Sequence, residues 1–300
     1  MPRHPRRLPV IGRFLQTLTS GFKTLLQTGS SAAVSGVTVF EGDSPFHHIV
    51  IRDEGPVRTM YFTGPEGEEA ETAIHSGDPS RAVFEYPGLM LTALALAPGR
   101  RIILLGLGGG YLPGLFARFL PERELTVVEV DPLVVELAGT YFGFAPAPNV
   151  RLVLADGREF LAGAEAPFDQ IWLDAFSGDY VPDHLCGLSF LKLCRDRLNP
   201  GGLLAQNLHQ SRFQAFQNQL RTTEALFGPF LALEGQRCGN AVILSRRPEA
   251  GDGRRTEAWP PANLRAAVKK LGPRLGPYDL TEEIRKVKTI RPNPEARIIP

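Results

Sequence analysis

Hydrophobic and polar positions fall into a regular beat from Arg100 onward. Short, nearly unbroken apolar runs (RIILLGLG, LTVVEVD, VRLVLAD, FDQIWLDAF and GGLLAQNL) alternate with amphipathic stretches at 112–120, 132–142, one begun at 158–161, then 184–198 and 212–227. A strand apolar on both faces needs cover on both sides, so this alternation predicts a mainly parallel sheet with helices on both faces. Two further runs, FLALEG and NAVILSRR, follow with no helix between them and predict an antiparallel pair at the sheet edge. Upstream, residues 37–80 read as short strands and turns, with Asp53-Glu54-Gly55-Pro56 as a hairpin loop between two alternating runs. RAVFEYPGLMLTALAL then reads as a helix that Pro87 kinks or starts late.

The chain thus divides into a basic amphipathic segment (1–36), a small β-domain (37–80), an α/β domain (81–248) and an irregular Pro/Arg-rich tail (249–300). The tail holds one short helix near Leu264–Lys270. Composition adds bounds. Three hundred residues, 43% of them hydrophobic, support a substantial core. A net charge of +1 gives no general attraction to nucleic acid, and no dense basic patch with interleaved aromatics interrupts the fold, so no nucleic-acid partner is expected. Cys186, Cys194 and Cys238 are odd in number and lack metal-ligand spacing. They read as free thiols, which points to a reducing, cytoplasmic setting and no metal site. No run is long enough to be a transmembrane segment. The first 40 residues carry Arg3, Arg6, Arg7, Arg13 and Lys23 and no acid, with apolar residues at helical spacing. That helix docks on the protein itself or on a sister subunit, with peripheral membrane contact or an organelle-targeting segment as the other reading.

Candidate chemistry collects at the ends of the apolar runs. Gly106, Gly108, Gly109 and Gly110 stand between a strand and a helix, where glycine lets the backbone turn sharply and approach a ligand. Glu129 ends the next strand, 19 residues past Gly110, where an acid can accept from ribose hydroxyls, while Asp131 caps the following helix. Asp156-Gly157 ends the third strand and serves either an adenine amino group, with the glycine making room, or a helix cap. Strands ending this way side by side form one crevice, the expected ligand site of an open parallel sheet. Asp174 ends the fourth, followed by an acidic loop with Asp179 and Asp183, closed by Pro182. Gln206 and Asn207 end the fifth.

The motifs LLGLGGG, VVEVDP, ADGREFL and FDQIWLDAFSGDYVP, in this order, resemble the polyamine aminopropyltransferases, the spermidine synthases and their relatives. The resemblance runs from about Asp43 to Leu208. It implies a small β-domain ahead of a Rossmann-like domain of class I methyltransferase type, and a homodimer. It also implies decarboxylated S-adenosylmethionine as co-substrate and a small polyamine such as putrescine as acceptor. Glu129 would take the ribose, Asp156 and Gly157 the adenine, and Asp174 would be the base. Asp179, with Pro182 in the same loop, would cradle the amine. His47 stands at the family's glutamine position, with strand packing as its other reading, and Glu85 survives from the family's Tyr-His-Glu, here Val83-Phe84-Glu85. Gln206 completes the substrate side. The glycine loop departs from the family's GGGDGG: its acid, which contacts the donor's ammonium, becomes Gly109. The same scaffold carries S-adenosylmethionine-dependent methyltransferases, the alternative reading, with a non-catalytic nucleoside-binding relative as a third.

Overall fold

A computed structural model describes residues 36–64, 67–97, 99–175, 182–235, 239–249, 261–271, 275, 280 and 292–299. The basic N-terminal segment, Asp179 and Cys238 lie outside the described residues. Two sheets organise the chain. The first is a five-stranded antiparallel meander of β1 (Val37–Asp43), β2 (His48–Glu54), β3 (Val57–Gly64), β4 (Gly67–His75) and β5 (Asp78–Ala82). Gly55, at φ 60°, makes the β2–β3 turn where Asp53-Glu54-Gly55-Pro56 predicts it.

The second sheet contains β6 (Arg101–Leu105), β7 (Glu124–Glu129), β8 (Val150–Leu154), β9 (Phe168–Leu173), β10 (Leu198–His209), β11 (Leu231–Glu234) and β12 (Asn240–Arg246). Their order is β11-β12-β10-β9-β6-β7-β8. The five strands from β6 to β10 run parallel, and β11 and β12 pair antiparallel at the edge. Among the described residues eight α-helices accompany them: α1 (Tyr86–Leu91), α2 (Ala93–Leu96), α3 (Tyr111–Phe119), α4 (Pro132–Phe142), α5 (Gly157–Ala162), α6 (Gly187–Arg197), α7 (Phe213–Phe227) and α8 (Pro261–Leu271). Pro87 enters α1 in its first turn, where its missing N–H costs nothing, so the helix begins at Tyr86.

Alternation along each strand divides the core. Ile102, Leu104, Val127, Trp172 and Ala205 pack on the side of α1–α4 and the meander. Ile103, Leu105, Val128, Ile171 and Leu204 pack on the side of Leu161, Phe190 and Phe227, from α5, α6 and α7. Trp172 stands edge-on to Phe116, 5.5 Å between ring centres, and its indole N–H donates to the Gln170 side chain. The Gln170 amide in turn donates to the Ala97 carbonyl at 2.7 Å, tying the central strand to the end of α2.

The described parts of the tail, 261–271 and 292–299, pack against the α/β domain. α8 packs on α2 and buries Val268 and Leu271. Residues 292–299 run along α7, whose side chains take the strap's amides: Asn293 N–H on Gln217, Arg297 N–H on Asn218 and Ile299 N–H on Thr222. The Ile299 carbonyl accepts from Leu188 N–H at the start of α6.

Candidate active site

Backbone hydrogen bonds lace the strand tips into one row. Ala155 N–H donates to the Glu129 carbonyl, Gly106 N–H to Val128, and Asp174 N–H to Leu105, each at 2.9 Å. Asp156, Glu129, Gly106 and Asp174 therefore stand at the C-terminal ends of neighbouring strands β8, β7, β6 and β9. Three strand spacings place the ends of that row roughly 14 Å apart. The glycine loop closes this edge. Gly106, Gly108 and Gly110 have φ of 101°, 52° and 74°. A Cβ on Gly106 would lie 2.2 Å from the Asp174 carbonyl oxygen. Gly109 is crowded rather than strained: a Cβ there would meet the Thr72 methyl at 2.8 Å and the Phe142 ring at 3.0 Å. Gly157 lets α5 start against Leu105, whose methyl would lie 3.1 Å from an added Cβ.

Asp174 stands at the β9 end of this row. It continues the face of Trp172, so its carboxyl turns toward α1, where it hydrogen-bonds the Tyr86 side chain. Oδ1 accepts from Asn207 Nδ2 at 2.8 Å. Although the residue is not fully covered, its carboxyl lies among protein atoms, and burial lifts its pKa to about 7 against the opposing pull of Asn207 and Tyr86. A carboxylate poised near neutrality, at the tip of a central strand, has the protonation behaviour of a general base.

Glu129 is spent largely on architecture. Oε2 accepts from Leu107 N–H at 2.9 Å, and Oε1 from Val130 and Asp131 N–H at 2.9 and 3.0 Å. Burial pushes its pKa up, opposed by these three amides. It staples the glycine loop to the β7 tip, and any ribose contact uses lone pairs left over. Glu129→Gln turns one acceptor into a donor facing an amide. It should lower stability by about 2 kcal/mol in urea denaturation and weaken nucleoside binding with it.

Asp131 is fully buried and does two jobs. Oδ1 caps α4 at Leu133 N–H, as expected, and Oδ2 receives the Ser44 hydroxyl at 2.5 Å and His47 Nδ1 at 3.1 Å. His47 also stacks on Phe62, 4.1 Å between rings. The structure thus brings His47 to the meander's seam with α4 rather than to Asp174. Asp156 caps α5 through Glu159 N–H at 2.8 Å, and its other oxygen meets His184 Nε2 at 2.8 Å. Pro182 leads into a single 3-10 turn, Asp183–Leu185, so the helix expected from 184 begins only at Gly187. Cys194 is a buried free thiol as expected, whereas Cys186 is only partly buried and precedes the helix.

Gln206 requires a correction. It continues the face of Leu204, opposite to Asp174, and its amide is held by Thr223 and Gln219 with no exposed surface. Its neighbour Asn207, on the other face, is the one that reaches Asp174. Strand parity decides between the two: Trp172 and Asp174 share one face of the sheet with Ala205 and Asn207. Tyr86 was missed because the family triplet falls one residue earlier. Glu85 itself is 4% exposed at the start of α1.

Residues 82–227 match the family model for protein-L-isoaspartate (D-aspartate) O-methyltransferase. A polyamine aminopropyltransferase of Vibrio vulnificus is 35% identical over 214 residues, covering 69% of this chain and 71% of that protein. The chain belongs to the polyamine aminopropyltransferase family. Polyamine aminopropyltransferases are transferases, and the fold agrees: spermidine synthase from Thermotoga maritima superposes with a TM-score of 0.63 at 18% identity, over 84% of this chain and 85% of that one. Human methyltransferase-like protein 13, solved in complex with SAH, gives 0.56 at 22% identity over 66% and 98%. The aminopropyltransferase fold is thus a methyltransferase-type sheet preceded by a small antiparallel one. No described helix is long and apolar enough to cross a membrane.

Proposed function

We propose that the protein moves an aminopropyl group from decarboxylated S-adenosylmethionine to a small amine such as putrescine, releasing methylthioadenosine. One observation carries the reading: a carboxyl with pKa about 7, held by Asn207 and Tyr86, at the end of the strand next to the glycine loop. An alkylammonium with pKa near 10 has no lone pair. Asp174 accepts its proton as the freed nitrogen bonds the propyl carbon next to the sulfonium. The carbon–sulfur bond breaks, its electron pair stays on sulfur, and the positive charge there is cancelled. Desolvation makes Asp174 a stronger base than a surface aspartate, and the closed crevice aligns the two reactants. The nucleoside lies across the row from Asp156 to Gly106, with Gly157 and the loop glycines giving the backbone room. Glu85 and Asp179 supply negative charge for the amine, and Pro182 closes the loop that carries Asp179.

One observation favours a second reading. Thr72 and Phe142 fill the space a side chain at Gly109 would need, so no acid there selects a donor bearing an ammonium alone. Intact S-adenosylmethionine with methyl transfer is the competing chemistry. Calorimetric titration with both donors, followed by product analysis with putrescine, separates the two. Preference for the decarboxylated donor and release of methylthioadenosine is the expected result. Tighter binding of the intact donor and formation of S-adenosylhomocysteine with an acceptor would overturn it. Binding without any product would favour a non-catalytic relative.

A further inference from the structure

Asp174 is faced by Asn207 from β10 and Tyr86 from α1, and the two side chains oppose burial in setting its ionisation. Asn207 is itself 2% exposed, and its carboxamide has a direction. An ionised carboxylate only accepts, so Asn207 has to turn Nδ2 toward Asp174, at 2.8 Å. That leaves Asn207 Oδ1 pointing the other way, into the space beside β12. There it accepts from Asn240 Nδ2 at 3.0 Å. Asn240 is the first residue of β12 and pairs with His209 across the antiparallel ladder. Two carboxamides thus line up head to tail, from the edge hairpin to the strand tip.

We infer that Asn240 is a positioning residue for the proposed base: by donating to Asn207 Oδ1 it fixes which end of the Asn207 amide Asp174 meets. The inference rests on the reading of Asp174 as base. An amide is nearly symmetric in shape, so packing alone holds either orientation of Asn207. Flipped, Asn207 would present an oxygen to Asp174, which stabilises the protonated acid and disarms it. Asn240 makes that flip costly, because it would set an N–H against an N–H. His209 is the titratable neighbour. Its Nδ1 is engaged by the Ser211 hydroxyl at 2.7 Å, and its Nε2 lies beside Gly239.

The test is Asn240→Leu, close in volume and without a donor, with Asn240→Asp as the second, same-shaped variant. The acid limb of the kcat/KM profile should move up by about one pH unit, so that activity falls about tenfold at acidic pH and stays near wild type at pH 9. Titration of 13C-carboxyl aspartate in the ligand-free protein should show the same upward move for Asp174, which needs no turnover. An unmoved Asp174 titration in either variant overturns the inference, as does a loss of activity equal at all pH values. If the wild type forms no aminopropyl product while the titration still moves, the functional reading fails and the relay stands.

Discussion

Asp174→Asn should bind the nucleoside donor nearly as the wild type does and turn it over about a thousandfold more slowly, within the range lost when a general base is removed. Single-turnover assays with saturating donor and amine read this directly. The same substitution should make the protein more stable above neutrality. With a folded pKa of about 7 against an ordinary value of 3.8, the folded state holds its proton more tightly than the unfolded chain. Stability from this group is therefore complete at low pH and is lost as pH rises from about 4 through 7. At pH 8 the buried charge costs at most roughly 4 kcal/mol, which the neutral Asn does not incur. Urea midpoints of the two proteins should lie close together near pH 4 and separate progressively toward pH 8. A variant equally active, or no more stable at pH 8, would remove Asp174 from its proposed role.

Gly106→Ala is expected to have the largest structural effect. A φ of 101° is strained for any L side chain, and the added methyl would lie 2.2 Å from the Asp174 backbone oxygen, just past β9. Neither atom belongs to a flexible side chain, so the strand tips must separate. A loss of at least about 3 kcal/mol in chemical denaturation is expected. Whatever folds would also have lost catalysis, because the atom displaced is the carbonyl of Asp174 itself. Gly108→Ala meets open space and shares only the backbone penalty, so it serves as the comparison.

Much of this architecture was legible in the sequence because its signals are local. Apolar runs bounded by glycine or acid named all five parallel strands, and the absence of a helix between FLALEG and NAVILSRR placed the antiparallel edge. The row of tips followed from the same pattern, since each parallel strand ends at the same edge. What stayed hidden depended on pairings between distant segments. Nothing near His47 announces that Asp131, 84 residues away, takes its ring nitrogen. Asp156 was readable both as cap and as ligand, and its partner His184 lies beyond an intervening strand. The choice of Asn207 over Gln206 needed the facing direction of two strands at once. The described parts of the tail, irregular by composition, take their places through distant partners: α8 against α2, and residues 292–299 along α7 and the start of α6.

The carboxylate that starts α4 also fastens the meander, through Ser44 and His47. Separating the two sheets would strand that buried anion without two of its three donors, at the cost a desolvated charge carries. Heat or denaturant should therefore find a single cooperative unit, with the antiparallel layer acting as a fixed wall over the crevice instead of a swinging door.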